Sequence, residues 1–313
     1  MRIYRGFSDR ALRPRPRAVA VGIFDGVHRG HLRILRRAIS EAKALGGRSM
    51  AVTFDPHPAK VLLGRGQNPP IILSLAHRLR LLERAGIDET LVVRFDRRFS
   101  RIPRETFLDE LLLGRLGMRS LAVGKDFRFG RGGRGNAAFL GERTRGAGFR
   151  LRLVAPLLES GRAISSTRIR RLIERGRLRE ASRLLGRPVT VCGTVVRGRG
   201  RGRKLGFPTA NLDPHHETLP PAGVYAARGL LDGRRLEGVL HIGERPTFAE
   251  KDRSLEAHFF DFHERIYGRE VELFFAGRLR GIRRFAGAAE LVRAIRADSS
   301  RARRLLARPS RAK

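Results

Sequence analysis

The sequence predicts an α/β chain in two parts. A mainly parallel, helix-covered sheet comes first, and a small antiparallel β barrel or sandwich follows. Three observations predict this. The chain has 313 residues, more than one hydrophobic core commonly serves, so two domains are expected. From residue 18 to about 185, short apolar runs alternate with stretches of helical spacing, the pattern of a parallel sheet covered by helices. From Val189 to Phe275 the apolar runs become short, rich in Val, Phe and Leu, and separated by Gly and Pro.

Residues 18–24 (AVAVGIF) read as a buried strand. Leu32, Leu35, Ile39 and Ala42 then recur at helical spacing from about His31 to Leu45, and Gly46-Gly47 ends that helix. Residues 48–54 form a second strand. The alternation continues with a helix near 74–85, a strand at 90–95, a helix near 104–115, a strand at 119–124 and a further strand at 149–154. Short helices at 165–175 and 177–185 close the first part. Strands of the second part are expected at 189–196, 223–230, 236–242, 254–260 and 270–276, with an amphipathic helix near 286–296 packed on them. The domains divide as 1–186 and 187–298. Ser299–Lys313 has six basic residues and no acid, and is expected to be frayed or a poorly packed helix.

Composition sets further bounds. Lys and Arg number 66 against 30 Asp and Glu, for a formal charge of +36, and only six of the 66 are Lys. A hydrophobic fraction of 41% excludes a disordered basic tail protein. The single cysteine, Cys192, excludes an intramolecular disulfide framework and reads as a buried small hydrophobe. No apolar run is long enough to span a membrane, and the N-terminal residues lack a signal core, so a cytoplasmic protein is expected. The charge raises nucleic acid as a partner and suits a phosphorylated small ligand equally well. Arg filling solvent positions explains the same charge without a partner.

The run Gly22-Ile-Phe-Asp-Gly-Val-His-Arg-Gly-His31 follows the first strand and opens the first helix. Gly26 and Gly30 let backbone approach a ligand closely. The start of a helix offers N–H groups to phosphate oxygens, and His28 and His31, three apart, can face one site. A capped helix with two surface histidines fits the same residues. Asp25 reads as a ligand contact or as a turn residue. Gly130-Arg-Gly-Gly-Arg-Gly135 matches a dinucleotide fingerprint formally, but without its strand–turn–helix setting or acidic partner it reads as a flexible substrate loop. Nine scattered histidines and one cysteine offer no zinc cluster.

Gly22–His31, Phe54-Asp-Pro-His-Pro58, Val123-Gly-Lys-Asp-Phe-Arg-Phe-Gly130 and Ile164-Ser-Ser-Thr-Arg-Ile-Arg170 occur in this order. Together they resemble the adenylyltransferase domain of bacterial bifunctional riboflavin kinase/FAD synthetases, over about residues 15–185. The resemblance implies a Rossmann-like nucleotidyltransferase domain. ATP would bind between the His28/His31 loop and Ser165–Arg168, FMN would attack the α-phosphorus, and pyrophosphate would leave. It implies that His28 and His31 stabilise the transferred phosphate while Ser166, Thr167 and Arg168 clamp the leaving phosphates. It places Gly22, Phe24, Asp25, Gly30 and Ser165 at the nucleotide, Asp126 where it orients substrate, and His57 near the flavin phosphate. A packed or capping role fits His57 as well.

Residues 197–212 read RGRGRGRKLGFPTANL. The first half is a basic, flexible loop, and taken alone it fits RNA binding or simple solvation. Thr209 and Asn211 alternate, so both can point to one side of an extended segment as neutral oxygen donors for magnesium. A turn before a strand is the plainer alternative. Pro221-Ala-Gly-Val-Tyr225, Ile242–Phe248, Leu255-Glu-Ala-His258 and Ile266-Tyr-Gly268 follow. With the Pro-Thr-Ala-Asn segment they resemble the riboflavin kinase domain of the same family, over about 187–297. This implies a small β barrel that moves the ATP γ-phosphate to riboflavin. Glu256 would be the base, Mg2+ would sit at Thr209 and Asn211, and Arg203, Lys204, Gly206 and Pro208 would lie at the triphosphate. Alternation puts Glu256 and His258 on one face and Leu255 on the other; read alone, Glu256 is an ordinary exposed strand residue. Three positions depart from the family pattern: His241 for a frequent Asn, no acid near Ile282, and Asn136 for a frequent acid.

The sequence therefore predicts a bifunctional enzyme that takes riboflavin to FMN and FMN to FAD, with ATP as co-substrate. It is expected to be a monomer or weak homo-oligomer, with no specific nucleic acid and no membrane partner. A nucleotidyltransferase with another acceptor would leave the second domain's motifs coincidental. An RNA-binding protein would need exposed stacking aromatics, whereas Trp is absent and the Phe residues fall mostly at core-like positions.

Overall fold

A computed structural model describes residues 1–64, 67–198, 200, 202, 205–215, 217–244 and 253–307. The chain divides into two compact units. One comprises Met1–Ile71 and Leu75–Ser166, the other Ile72–Ser74 and Thr167–Lys313.

The first unit is built on six parallel strands in the order β1-β4-β3-β2-β5-β6: β1 Arg2–Arg5, β2 Arg17–Val21, β3 Arg48–Asp55, β4 Glu89–Arg94, β5 Met118–Gly124 and β6 Arg150–Val154. β2 is buried along its whole length and β3 along all but its ends, which is why both read as continuous apolar runs. The chain begins at the edge with β1, enters the middle at β2, steps outward through β3 to β4 beside β1, then returns to the other side of β2 for β5 and β6. That reversal opens a crevice beyond the C-terminal ends of β2 and β5, where ligands bind in such sheets.

Helices α1 (Arg29–Ala44), α2 (Pro58–Leu62), α3 (Leu75–Arg84), α4 (Arg104–Thr106) and α5 (Ala137–Ala147) join the strands; α4 leads into a π-helical stretch, Phe107–Arg115. One core face is an aromatic chain, Phe54–Phe95–Phe99–Phe107–Phe129–Phe139, with successive ring centroids 5.4 to 6.2 Å apart. These phenylalanines are therefore packing residues, as their spacing suggested. Gly130–Gly135, expected to be flexible, is closed instead: Phe129 and Gly135 exchange both backbone hydrogen bonds, at 3.1 and 2.9 Å. Asn136 then caps α5 by accepting from the Phe139 N–H at 3.0 Å.

The second unit holds helices α6 (Ser166–Glu174, its first residue lying in the first unit) and α7 (Leu178–Leu185), then a closed antiparallel barrel. The barrel order is β10-β13-β12-β11-β14-β9, formed by β9 Thr190–Val196, β10 Ala210–Pro214, β11 Gly223–Leu231, β12 Arg234–Glu244, β13 Arg253–Phe259 and β14 Glu270–Arg280. Leu212, Leu240, Ile242, Leu255, Ala257, Val271 and Leu273 are among its buried residues. Cys192 is fully buried in β9. The final helix, α8, runs from Ala288 to Leu306. It does not fray after Ser299: Ala302 and Leu306 are 0% and 2% exposed, packed with Val224, Ala226, Phe260 and Leu279. Two apolar residues one turn apart anchor this stretch, although arginines surround them in sequence. Residues 308–313 lie outside the described residues.

Candidate active sites

β2 ends at Val21, earlier than its apolar run suggests, because the chain turns sharply into α1. Phe24, Gly26 and Val27 all have positive φ, at 53°, 88° and 36°. Two of the three are not glycine, a costly choice of order 1–3 kcal/mol each that persists only where neighbours enforce it. Phe24 and Val27 are buried, and the Val27 N–H bonds the Phe24 carbonyl at 3.0 Å. His28 follows as the cap of α1. Its Nδ1 accepts from the His31 N–H at 3.2 Å. An Nδ1 used as acceptor leaves the proton of a neutral imidazole on Nε2.

The His28 and His31 rings stack with centroids 3.6 Å apart, and the edge of Phe24 meets His31 at 5.4 Å. Gly30 is needed for close approach: a Cβ there would lie 3.1 Å from the His28 ring. A Cβ on Gly22 would lie 3.0 Å from the Phe24 ring. Asp25 is buried at 3% exposure, and its carbonyl accepts from Ser166 Oγ at 2.7 Å. Thus the structure joins Gly22, Phe24, Asp25, His28, Gly30, His31 and Ser166 in one constellation at the crevice. Ser165 is partly buried beside it in sequence. Thr167, exposed, and Arg168, partly buried, follow in the first turn of α6.

Two expected residues stand differently. His57 caps α2, its Nδ1 accepting from the Ala59 N–H at 3.1 Å, so the alternative capping role is occupied. Asp126 is exposed in the turn after β5. Sequence reasoning missed Arg78 on α3. It is 4% exposed, and its Nη1 donates to the Ile23 carbonyl at 2.6 Å and to Thr53 Oγ1 at 3.2 Å. Burial draws its pKa below the ordinary arginine value, opposed by the charges of Asp25 and Asp55.

On the barrel, the register aligns Asn211 of β10 with Glu256 of β13, and Glu256 with His241 of β12. Leu255 and Ala257 are buried while Glu256 and His258 are half-buried, so the expected alternation holds along β13. Thr209 Oγ1 lies 3.4 Å from Glu256 Oε2. A Cβ on Gly198 would fall on the Asn211 amide, and one on Gly202 would lie 3.2 Å from Thr209 Oγ1. Gly198 and Gly202 are thereby laid against Asn211 and Thr209 respectively. His258 Nδ1 is 2.8 Å from the Pro208 carbonyl, and the His258 ring meets Phe207 at 5.6 Å. Gly206 takes a positive φ of 84° in the turn before them. Thr209 and Asn211 offer hard, neutral oxygen donors of the kind a magnesium ion takes, with the Glu256 carboxylate beside them.

Burial holds the His241 pKa below 6.5; the neighbouring Glu256 charge acts the other way, and Arg280 adds to the lowering. Ile282, where the resemblance expects an acid, is 51% exposed. Arg203, Lys204 and residues 245–248 lie outside the described residues.

A parallel nucleotide-type sheet and a closed barrel on one chain, each with its own polar constellation, define a two-module transferase. The FAD synthetase family matches residues 11–168 and the riboflavin kinase family residues 185–306. The bifunctional riboflavin kinase/FMN adenylyltransferase of Escherichia coli (strain K12) is 37% identical over 305 residues, covering 97% of each chain. The proteins of that name from Pseudomonas fluorescens and Bacillus subtilis (strain 168) are 36% and 35% identical, covering 98% of each chain, and 91% of this chain with 90% of the relative. A crystal structure from Streptococcus pneumoniae, described as a macrolide-efflux protein, superposes with a TM-score of 0.85 at 28% identity, covering 97% of this chain and 99% of that one. Among the described residues no helix is long and apolar enough to cross a membrane. The chain belongs to the bifunctional riboflavin kinase/FMN adenylyltransferase family.

Proposed function

We propose that this chain makes FAD in two consecutive steps, each on its own module, with the division near residues 186–187. Riboflavin and ATP give FMN and ADP at the barrel. FMN and ATP then give FAD and pyrophosphate at the parallel sheet. The observation that carries this reading is the pair of separate constellations, His28–His31 with Asp25 and Ser166 in one unit and Thr209–Asn211–Glu256 in the other.

For adenylyl transfer, an FMN phosphate oxygen attacks the α-phosphorus of ATP and the bond to the β-phosphate oxygen breaks. Charge grows on the transferred group, and His28 Nε2–H and the His31 ring stabilise it. Ser165, Ser166, Thr167 and Arg168 hold the departing pyrophosphate, Arg168 with its planar fork. Gly22, Phe24 and Gly30 shape the nucleotide wall. Asp126 and His57 stand on the flavin side, with His57 acting chiefly as the α2 cap.

For phosphorylation, the Glu256 carboxylate takes the proton of the terminal ribityl hydroxyl as that oxygen attacks the γ-phosphorus, and ADP leaves. Thr209 and Asn211 would hold Mg2+, which supplies charge neutralisation at the phosphates. The loop bearing Arg203, Lys204, Gly206 and Pro208 covers the triphosphate. The site chemistry uses only small molecules, in keeping with a cytoplasmic monomer or weak homo-oligomer with no specific nucleic-acid partner.

Incubation with riboflavin, ATP and magnesium, with products separated over time, tests the reading. FMN should rise first and FAD should follow, and chelation should stop the kinase step. Absence of both products refutes it, and FAD from supplied FMN without FMN from riboflavin refutes the barrel assignment.

A further inference from the structure

We propose that Arg78 is a positioning residue for adenylyl transfer: from α3 its guanidinium fixes the Ile23 carbonyl and lies beside the Asp55 carboxylate, and so sets where His28 and His31 stand. The inference rests on the adenylyl-transfer reading of that loop.

The Ile23 carbonyl is held by two donors, Arg78 Nη1 at 2.6 Å and Thr53 Oγ1 at 2.9 Å. Arg78 also donates to Thr53 Oγ1 at 3.2 Å, so the three groups form one closed set. Its Nη2 lies 3.8 Å from Asp55 Oδ1, and the Asp25 charge acts on it as well. Arg78 and Thr53 are both buried, at 4% and 0% exposure.

Arg78 is an expensive residue to keep there. Its Nε has no hydrogen-bond partner among the described residues. A buried cation with an unmet donor costs stability that an apolar side chain of similar size would spare. What the cation provides is a fixed point. Ile23 is the last residue before the turn in which Phe24, Gly26 and Val27 take positive φ, and His28 is the first after it. A turn of that kind keeps its shape only where its surroundings over-determine it. Arg78 and Thr53 fix one end of the turn, and the His28 cap on α1 fixes the other. One nitrogen of the guanidinium, Nη1, reaches the carbonyl and the hydroxyl while the other, Nη2, lies toward Asp55, a fixed spread that a lysine ammonium on its flexible stem does not reproduce.

The test compares Arg78→Met and Arg78→Lys in the full chain. FAD formation from FMN and ATP is measured, with riboflavin phosphorylation in the same preparation as the reference. A loop displaced by an ångström lowers turnover by about 100-fold. Arg78→Met is therefore expected to lower kcat for FAD formation by about that factor, with KM for ATP within threefold and phosphorylation unchanged. Arg78→Lys, which returns the charge and a donor, should recover at least tenfold of the loss. An Arg78→Met kcat within threefold of the unmodified chain, or an Arg78→Lys variant no better than Arg78→Met, overturns the proposal. If Arg78→Met lacks the thermal transition of the first unit, Thr53→Val decides. It removes the second donor and should lower kcat about tenfold, and an unchanged kcat overturns the proposal. An unmodified chain that makes no FAD from supplied FMN refutes the adenylyl-transfer reading itself.

Discussion

Gly30→Ala should separate stability from activity. Gly30 is the second residue of α1, and its φ lies outside the positive region, so alanine suits the backbone. Replacing a helical glycine by alanine stabilises by up to ~1 kcal/mol, which for a unit of this size raises Tm by about 2–4 °C. The new Cβ, however, would lie 3.1 Å from His28 Cε1 and Nδ1, where ordinary contact begins at 3.4 Å. The His28 ring must retreat by about a third to half an ångström, since carbon contacts are optimal near 3.5–4.0 Å. The His31 ring, stacked with its centroid at 3.6 Å, limits where it can go. If an ångström of misplacement costs about 100-fold, this shift costs about 5- to 10-fold in kcat. Steady-state FAD formation from FMN and ATP measures the loss, with riboflavin phosphorylation as the internal reference and calorimetry for Tm. Adenylyl transfer within twofold of the unmodified chain would show that the position of the His28 ring does not govern the reaction. A Tm lowered by several degrees would show that the helix cannot take the methyl group.

Glu256→Gln keeps the shape of the side chain but removes the base, so FMN formation should vanish while FAD formation from supplied FMN persists; loss of both in a folded chain would contradict independent sites. Glu89 is 3% exposed and bonds Arg17 Nε at 2.6 Å and Tyr4 Oη at 3.0 Å, so Glu89→Gln leaves Arg17 buried without its counter-charge and should destabilise the first unit by about 3–5 kcal/mol, read by urea unfolding. The Glu41 carboxyl is held below the ordinary glutamate value of 4.5 chiefly by its hydrogen bond from Arg152, at 2.7 Å. Its stabilising effect is therefore complete above about pH 4.5 and is lost as pH falls through the lowered folded value, so the stability gap between the unmodified chain and Glu41→Gln should close on acidification. A gap that widens below pH 4 would contradict that sign.

The sequence made the fold legible wherever an apolar run coincided with complete burial. β2, β3, β4 and β5 are buried nearly end to end; the runs place β3, β4 and β5 within a residue, while the run of β2 continues three residues past its end into the turn. β1 and β10 escaped because each turns a single buried side chain inward, Tyr4 and Leu212 respectively, and two-state alternation over so few residues carries little signal. α5 was hidden by the glycines before it, although Asn136 is a standard capping residue. At the sites, the residues held by local chain geometry were readable: the His28–His31 spacing at the helix start, and the alternation of Thr209 with Asn211. The partners brought in from afar were not. Nothing near Leu75–Arg84 marks Arg78 as different from its neighbours Arg80 and Arg84 until the helix is laid beside the end of β2.

That last point bears on the net charge. Sixty arginines suggest a polyanion, but the structure shows arginine doing unlike things under one letter. Arg143 with Asp109 and Arg234 with Glu264 are exposed pairs, each worth no more than about 1 kcal/mol and screened by salt. Arg104 and Arg303 lay their guanidinium groups over Phe139 and Phe260, at 4.2 and 4.3 Å from the ring centroids, using the flat face rather than the charge alone. Arg17 and Arg78 are buried; Arg17 holds the Arg13 and Leu116 carbonyls ahead of β2 and β5, and Arg78 the Ile23 carbonyl just past β2. Raised salt should therefore weaken adventitious adhesion to nucleic acid while leaving the buried pair's contribution intact, because a few ångströms of protein exclude the ions that screen the surface. In a chain this rich in arginine, burial separates the side chains that shape a site from those that only carry charge.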